Sequence, residues 1–166
     1  TLETIADVSC FGSNNGSISI DLTDGDPGFS FAWSNGQTTQ NVSNLGPGNY
    51  RLTLGYADGN CSQIFDYQVE EPNQLLLSTP SITPVKCFGG NDGAINLTAL
   101  GGVGPYRYQW SGNQTTEDLS GLPAGNYALT LTDEHDCTQT DQFIVQEPPI
   151  LSVTAINEAD TCQTAS

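Results

Sequence analysis

Five cysteines, Cys10, Cys61, Cys87, Cys137 and Cys162, carry the most reactive side chains of a chain that has one histidine and no methionine. Thiols offer three kinds of chemistry: soft-metal ligation, nucleophilic attack and pairwise oxidation. Zinc or iron ligation wants thiolates clustered at close spacing or completed by imidazoles. Here there is no Cys-x-x-Cys pair, and His135 alone cannot complete a mixed Cys/His site. Nucleophilic catalysis wants a base and a turn that presents the nucleophile. The chain shows no nucleophile elbow, no glycine-rich phosphate loop and no metal-binding histidine pair, so it reads as a non-enzyme. Oxidation to disulfides, and with it an oxidising compartment, is therefore the leading expectation, with buried free thiols as the alternative and metal ligation behind both.

The second chemistry on offer is that of carboxylates. Asp and Glu number 19 against 3 Lys and Arg, for a net charge of −16. Hard cations need several converging oxygens. Asp24 and Asp26 in one loop, and Asp133, Glu134 and Asp136 in another, are the candidate calcium ligands, with Glu70, Glu71 and Glu147 near the junctions between units. Neither loop has EF-hand spacing, and the two do not match each other. Calcium is the one cofactor candidate, and no other is assigned. The charge argues against nucleic acid, whose phosphates need Lys and Arg, and against direct binding to an anionic membrane. It suits solubility and mutual repulsion along a crowded assembly.

The elements that position these residues come in duplicate. Cys10-Phe11-Gly12 recurs as Cys87-Phe88-Gly89, an offset of 87 − 10 = 77 residues. At that offset Trp33-Ser34 matches Trp110-Ser111, Gln37-Thr38-Thr39 matches Gln114-Thr115-Thr116, and Gly48-Asn49-Tyr50 matches Gly125-Asn126-Tyr127. Residues 9–55 and 86–132 share 20 identities over 47 ungapped positions, which makes the chain a tandem array. One deletion follows, because Cys61 aligns with Cys137 at 137 − 61 = 76, and Glu71-Pro72 then aligns with Glu147-Pro148. The expected organisation is repeat 1 over residues 1–78, repeat 2 over 79–155, and the start of a third repeat over 156–166, where Cys162 takes the place of Cys10 and Cys87. The repeat also suggests a pairing: Cys10 with Cys61 and Cys87 with Cys137, each bridge closing and clamping its own unit, with Cys162 left for a partner further on.

Apolar and polar residues alternate along Ile18–Leu22, Phe29–Trp33 and Tyr50–Leu54, and again along the matching stretches of the second unit. Ile64–Val69 and Phe143–Val145 add a late strand to each. A period of two marks half-buried antiparallel strands. No stretch has a helical period, and Thr, Val, Ile and aromatics dominate the runs. Leu45-Gly46-Pro47-Gly48-Asn49-Tyr50 and Leu122-Pro123-Ala124-Gly125-Asn126-Tyr127 share the form Leu-x-x-Gly-x-Tyr, like the tyrosine corner of immunoglobulin-like sandwiches. The fold expected is therefore all-β: tandem immunoglobulin-like Greek-key β-sandwich repeats, with Trp33 and Trp110 mid-strand in the two cores.

Taken together, Cys-Phe-Gly-x-x-x-Gly, an aromatic strand ending in Trp-Ser, Gln-Thr-Thr, Leu-x-x-Gly-x-Tyr-x-Leu-Thr-Leu, then Cys and Glu-Pro, resemble the SprB-type repeat. Such repeats fill very large surface proteins of gliding and biofilm-forming Bacteroidota. The resemblance implies a secreted or surface-anchored filamentous adhesin, exported by the type IX route, and it brings no catalytic residues. The function expected is a structural spacer in a long thread, partnered chiefly by neighbouring repeats. A module that binds surface glycans and a self-associating fibre subunit are the alternatives. The first unit departs from the pattern at Thr23–Gly28, where the second has Gly101-Gly102-Val103-Gly104-Pro105-Tyr106.

Overall fold

The computed structural model describes residues 2–22, 28–56 and 61–154. The first repeat supplies β1 (Leu2–Ala6), β2 (Gly16–Asp21), β3 (Phe29–Trp33), β4 (Val42–Leu45), β5 (Gly48–Tyr56) and β6 (Ser62–Val69). The second supplies β7 (Leu76–Leu77), β8 (Ser81–Thr83), β9 (Gly93–Asn96), β10 (Ala99–Leu100), β11 (Arg107–Trp110), β12 (Leu119–Leu122), β13 (Gly125–Thr132) and β14 (Thr138–Val145). Among the described residues no helix is long and apolar enough to cross a membrane.

In the first repeat β1-β2-β4 form one sheet and β3-β5-β6 the other; β8-β9-β12 and β11-β13-β14 repeat the arrangement. All pairings are antiparallel. The chain crosses from sheet to sheet between β2 and β3, β3 and β4, and β4 and β5. This is the immunoglobulin-like sandwich. Its tyrosine corner is present twice: the Tyr50 hydroxyl donates to Gly46 O at 2.9 Å, and the Tyr127 hydroxyl to Pro123 O at 2.9 Å. Antibody domains place a core-spanning cysteine two residues after that tyrosine. Here the position holds Leu52 and Leu129, both buried.

Alternation has turned one face of β2, β3, β5 and β6, and of β9, β11, β13 and β14, inward, and the buried faces meet in separate cores. Ile18, Ile20, Trp33, Leu52 and Val69 are among those filling the first. Ile95, Leu97, Trp110, Leu129 and Val145 are among those filling the second, with Leu75, Ala99 and Leu131 as a satellite. The tryptophans stand at the ends of β3 and β11 and not in mid-strand, and the reason is local. Each indole N–H donates to a carbonyl six residues on, Trp33 to Thr39 and Trp110 to Thr116, both at 2.9 Å. The chain must therefore leave the sheet just after the ring, which is why Trp-Ser and Gln-Thr-Thr recur together.

The border between repeats also shifts. Leu75 lies in the satellite core of the second repeat, and β7 pairs with β10. Residues 75–78, assigned to repeat 1 by the sequence, thus pack with repeat 2, and the hand-over lies between Val69 and Leu75. The expected third-repeat start, 156–166, lies outside the described residues.

Candidate functional site

The Cys-Phe-Gly motif is a tight turn. Ser13 N donates to Cys10 O at 3.0 Å, and Gly12 has φ of +72°, the left-handed backbone a type II turn requires at its third residue. In the second copy Gly90 N donates to Cys87 O at 2.9 Å, and Gly89 has φ of +70°. Each turn is tied to the Glu-Pro motif about sixty residues on. Gly12 N donates to Glu71 Oε2 at 2.8 Å, and Gly89 N to Glu147 Oε2 at 2.9 Å. Two motifs far apart in sequence are thus one structure at the exit of each sandwich, with the cysteine on its rim.

The other cysteine of each repeat sits at the opposite end. Cys61 immediately precedes β6, whose far end, Val69, leads to Glu70, and Glu70 O accepts from Val8 N at 3.1 Å. Eight strand residues separate the ends of β6 by roughly 26 Å. A disulfide needs Cα atoms within about 7 Å. The expected Cys10–Cys61 bridge is excluded by that length, and Cys87–Cys137 by the equal length of β14.

The bond runs between the repeats instead. Cys10 and Cys137 are disulfide-linked, with Cα atoms 5.7 Å apart and 127 residues between them in sequence. Cys61 and Cys87 are free and exposed. Cys162 lies outside the described residues. The exit face of the first repeat therefore abuts the β13–β14 hairpin tip of the second. Around the bridge, Ser9 O lies 3.2 Å from His135 Nδ1 and 3.3 Å from Cys137 Sγ.

Asp133 holds that tip in shape. It is wholly buried, and its Oδ1 accepts from His135 N and Cys137 N at 2.9 Å each, while Oδ2 accepts from Val103 N at 3.0 Å. One carboxylate thereby fixes the turn that presents Cys137 and the Gly101–Pro105 loop beside it. Gly102 in this loop, at φ +57°, donates its N–H to Asn73 O in the linker at 2.8 Å. A Cβ there would lie 2.9 Å from both Asp133 Oδ2 and Leu75 Cδ1. On the other side the linker's Glu70 N donates to Asp7 Oδ1 at 2.8 Å. The linker between the cores is thus pinned to both repeats.

Among the described residues the candidate calcium ligands do not form a cluster. The Asp133 oxygens face inward to backbone N–H groups, whereas Asp136 pairs with Arg107 on the surface at 2.5 Å. Asp24 and Asp26 lie outside the described residues, among which no group of three or more metal-ligating side chains converges. Each of the three basic residues faces an aspartate: Arg51 with Asp66, Lys86 with Asp92, and Arg107 with Asp136. Arg51's hydrogen bond holds the Asp66 carboxyl below its usual range, and the Lys86 backbone N–H does the same for Asp92. The basic charge is thereby matched within each repeat.

Sequence reasoning missed the bridge because a tandem array offers every cysteine two partners, one in its own unit and one in the next. The signal that separates them was present: the alternating run after Cys61 is long enough to carry the chain the whole length of a sandwich.

No curated protein matches the chain significantly. Among solved structures, a C-terminal 282-residue fragment of intimin, in complex with the intimin-binding domain of the translocated intimin receptor, aligns at 13% identity and a TM-score of 0.42, covering 86% of this chain and 64% of that one. A biofilm-associated protein, BSP domain, aligns at 17% identity and a TM-score of 0.27, covering 87% of this chain and 29% of that one. The chain thus spans less than two thirds of the length of either structure. The family model of the SprB repeat matches residues 2–38 and 79–115, so the two stretches that contain the Cys-Phe-Gly turns and the tryptophan strands are each similar to the SprB repeat.

Proposed function

We propose that the chain is a stretch of structural spacer repeats in the thread of a large cell-surface adhesin. The observation that carries this reading is the junction: a disulfide and a doubly pinned linker join one sandwich to the next, end to end. Such a joint suits a part that sets reach and passes load. With strands of about seven residues and end loops, each repeat adds roughly 35–40 Å. The SprB-repeat match supports a place on the cell surface. Export by the type IX route and a role in gliding or biofilm attachment belong to the same proposal.

The test is an in-frame deletion of one repeat from the parent gene. A spacer predicts a thread shorter by one repeat length in electron micrographs, with attachment retained. Loss of attachment with the thread still displayed would show a ligand-binding module instead, and a glycan array on the two-repeat chain would then identify what it binds.

A further inference from the structure

We propose that the two free thiols are the halves of further inter-repeat disulfides: Cys87 bonds the hairpin-tip cysteine of a following repeat, and Cys61 the turn cysteine of a preceding one. The argument rests on equivalence within this structure. Cys87 occupies the same turn as Cys10, with the same backbone hydrogen bond, the same left-handed glycine and the same glutamate anchor. Cys61 occupies the hairpin position of Cys137, since Tyr56 N donates to Cys61 O at 3.0 Å as Asp133 N does to Cys137 O at 3.0 Å. The two equivalents are bonded to each other in the internal junction, while Cys61 and Cys87 stand free at opposite ends of the pair.

The surface beside Cys87 has the form of an unfilled junction. A cleft of about 380 Å³ lies between Cys87 and Phe88 on one side and Pro148 and Ile150 on the other. At the equivalent turn of the first repeat, Cys10 is bonded to Cys137 at the hairpin tip of the second. Phe88 is 55% exposed, as its equivalent Phe11 is at 53% beside the bonded cysteine, but Leu151, the equivalent of Leu75, is 97% exposed where Leu75 is 6% exposed, which leaves this face apolar. The occupant is therefore another copy of this repeat, presenting a β-hairpin tip with a cysteine.

Oxidation requires an electron acceptor, and a disulfide oxidant such as oxidised glutathione supplies it. The Cys87 thiolate attacks the oxidant's disulfide and expels one thiolate. The incoming hairpin thiolate then attacks Cys87 Sγ in the mixed disulfide and expels the second. Two protein thiols lose two protons and two electrons, and the oxidant becomes two thiols. The spacer reading requires only the Cys10–Cys137 bridge, so this proposal stands or falls separately.

A second copy of the chain serves as the probe, because its Cys61 tip is the complement of the Cys87 turn. All proteins carry Cys162→Ser and are held in glutathione redox buffer at about millimolar concentration, comparable to what a short linker supplies. Cys61→Ser alone and Cys87→Ser alone are expected to remain monomers on non-reducing gels. Their equimolar mixture is expected to give a dimer, with peptide mapping finding Cys61 joined to Cys87 and Cys10–Cys137 intact. Dimers of either variant alone at comparable yield would mean indiscriminate thiol pairing and overturn the proposal. So would monomers throughout, or glutathione caps in place of the protein–protein bond.

Discussion

At the residue scale, the junction turns on a buried carboxylate. Asp133 compensates its lost hydration with three backbone N–H donors, which is the condition under which a buried charge is tolerated. Asp133→Ala would strand those donors. We expect a loss of about 3–4 kcal/mol in the second repeat, read as a lower denaturation midpoint by Trp110 fluorescence. Asp133→Asn keeps one carbonyl oxygen for the two turn donors but points an amide at Val103 N–H, and should fall between. A second residue-scale effect appears in alkali. Burial, with Glu3 alongside, pushes the Tyr67 phenol up to about 12; burial and a hydrogen bond with Glu117 do the same for Tyr108. The folded protein thus favours the neutral phenols. Their contribution to stability is whole below pH 10, the ordinary phenol value, and is lost as pH climbs toward 12. Ultraviolet titration should show two late-ionising phenols, and Tyr67→Phe should remove one of them. If Tyr67→Phe leaves the late phase unchanged, burial at this site does not control the phenol.

At the element scale, the turns define the ends of the sandwich. A Cβ at Gly12 would meet no atom within 4 Å, so an alanine there is opposed only by its backbone, held at φ +72°. Gly12→Ala should therefore cost about 1–2 kcal/mol, without the larger loss expected of a steric clash. Thermal denaturation of the first repeat checks this, and a loss well above that range would mean the turn has a tighter neighbour than the structure gives it. The strands with clean alternation, β2, β3, β5 and β6, were legible in sequence because a half-buried strand imposes a period of two. β4 and β12 were not. Each is four residues with buried ends and two exposed positions between them, and that spacing has no period of two. The two-residue pair β7–β10 is shorter than any periodic signal, which is why Leu75–Ser78 were assigned to the wrong repeat. The Leu-x-x-Gly-x-Tyr corner was legible because its hydrogen bond spans four residues. The disulfide was not, because its partners are brought together only by stacking one sandwich on another.

At the scale of the whole molecule, the bridge changes which part of the chain feels tension. Force applied at the two ends runs to Cys10, crosses the disulfide to Cys137, and continues along β14. The 127-residue span between the cysteines, including β2 to β6 and β8 to β13, lies off that path. Within-unit bridges would have hidden about fifty residues in each repeat and left the linker bearing load. The observed bond shields the linker together with most of both sandwiches, so extension under oxidising conditions should come only from β1, β14 and the chain outside the bridge. Breaking the bond should release the span at about 3.3–3.6 Å per residue, on the order of 430 Å. Single-molecule pulling of the two-repeat chain with and without reductant measures this length. Cys137→Ser should show the long extension without reductant, because Cys10 then has no partner in the second repeat. A full extension that is the same in oxidised, reduced and Cys137→Ser protein would place the bridge outside the load path and remove the mechanical basis of the spacer reading.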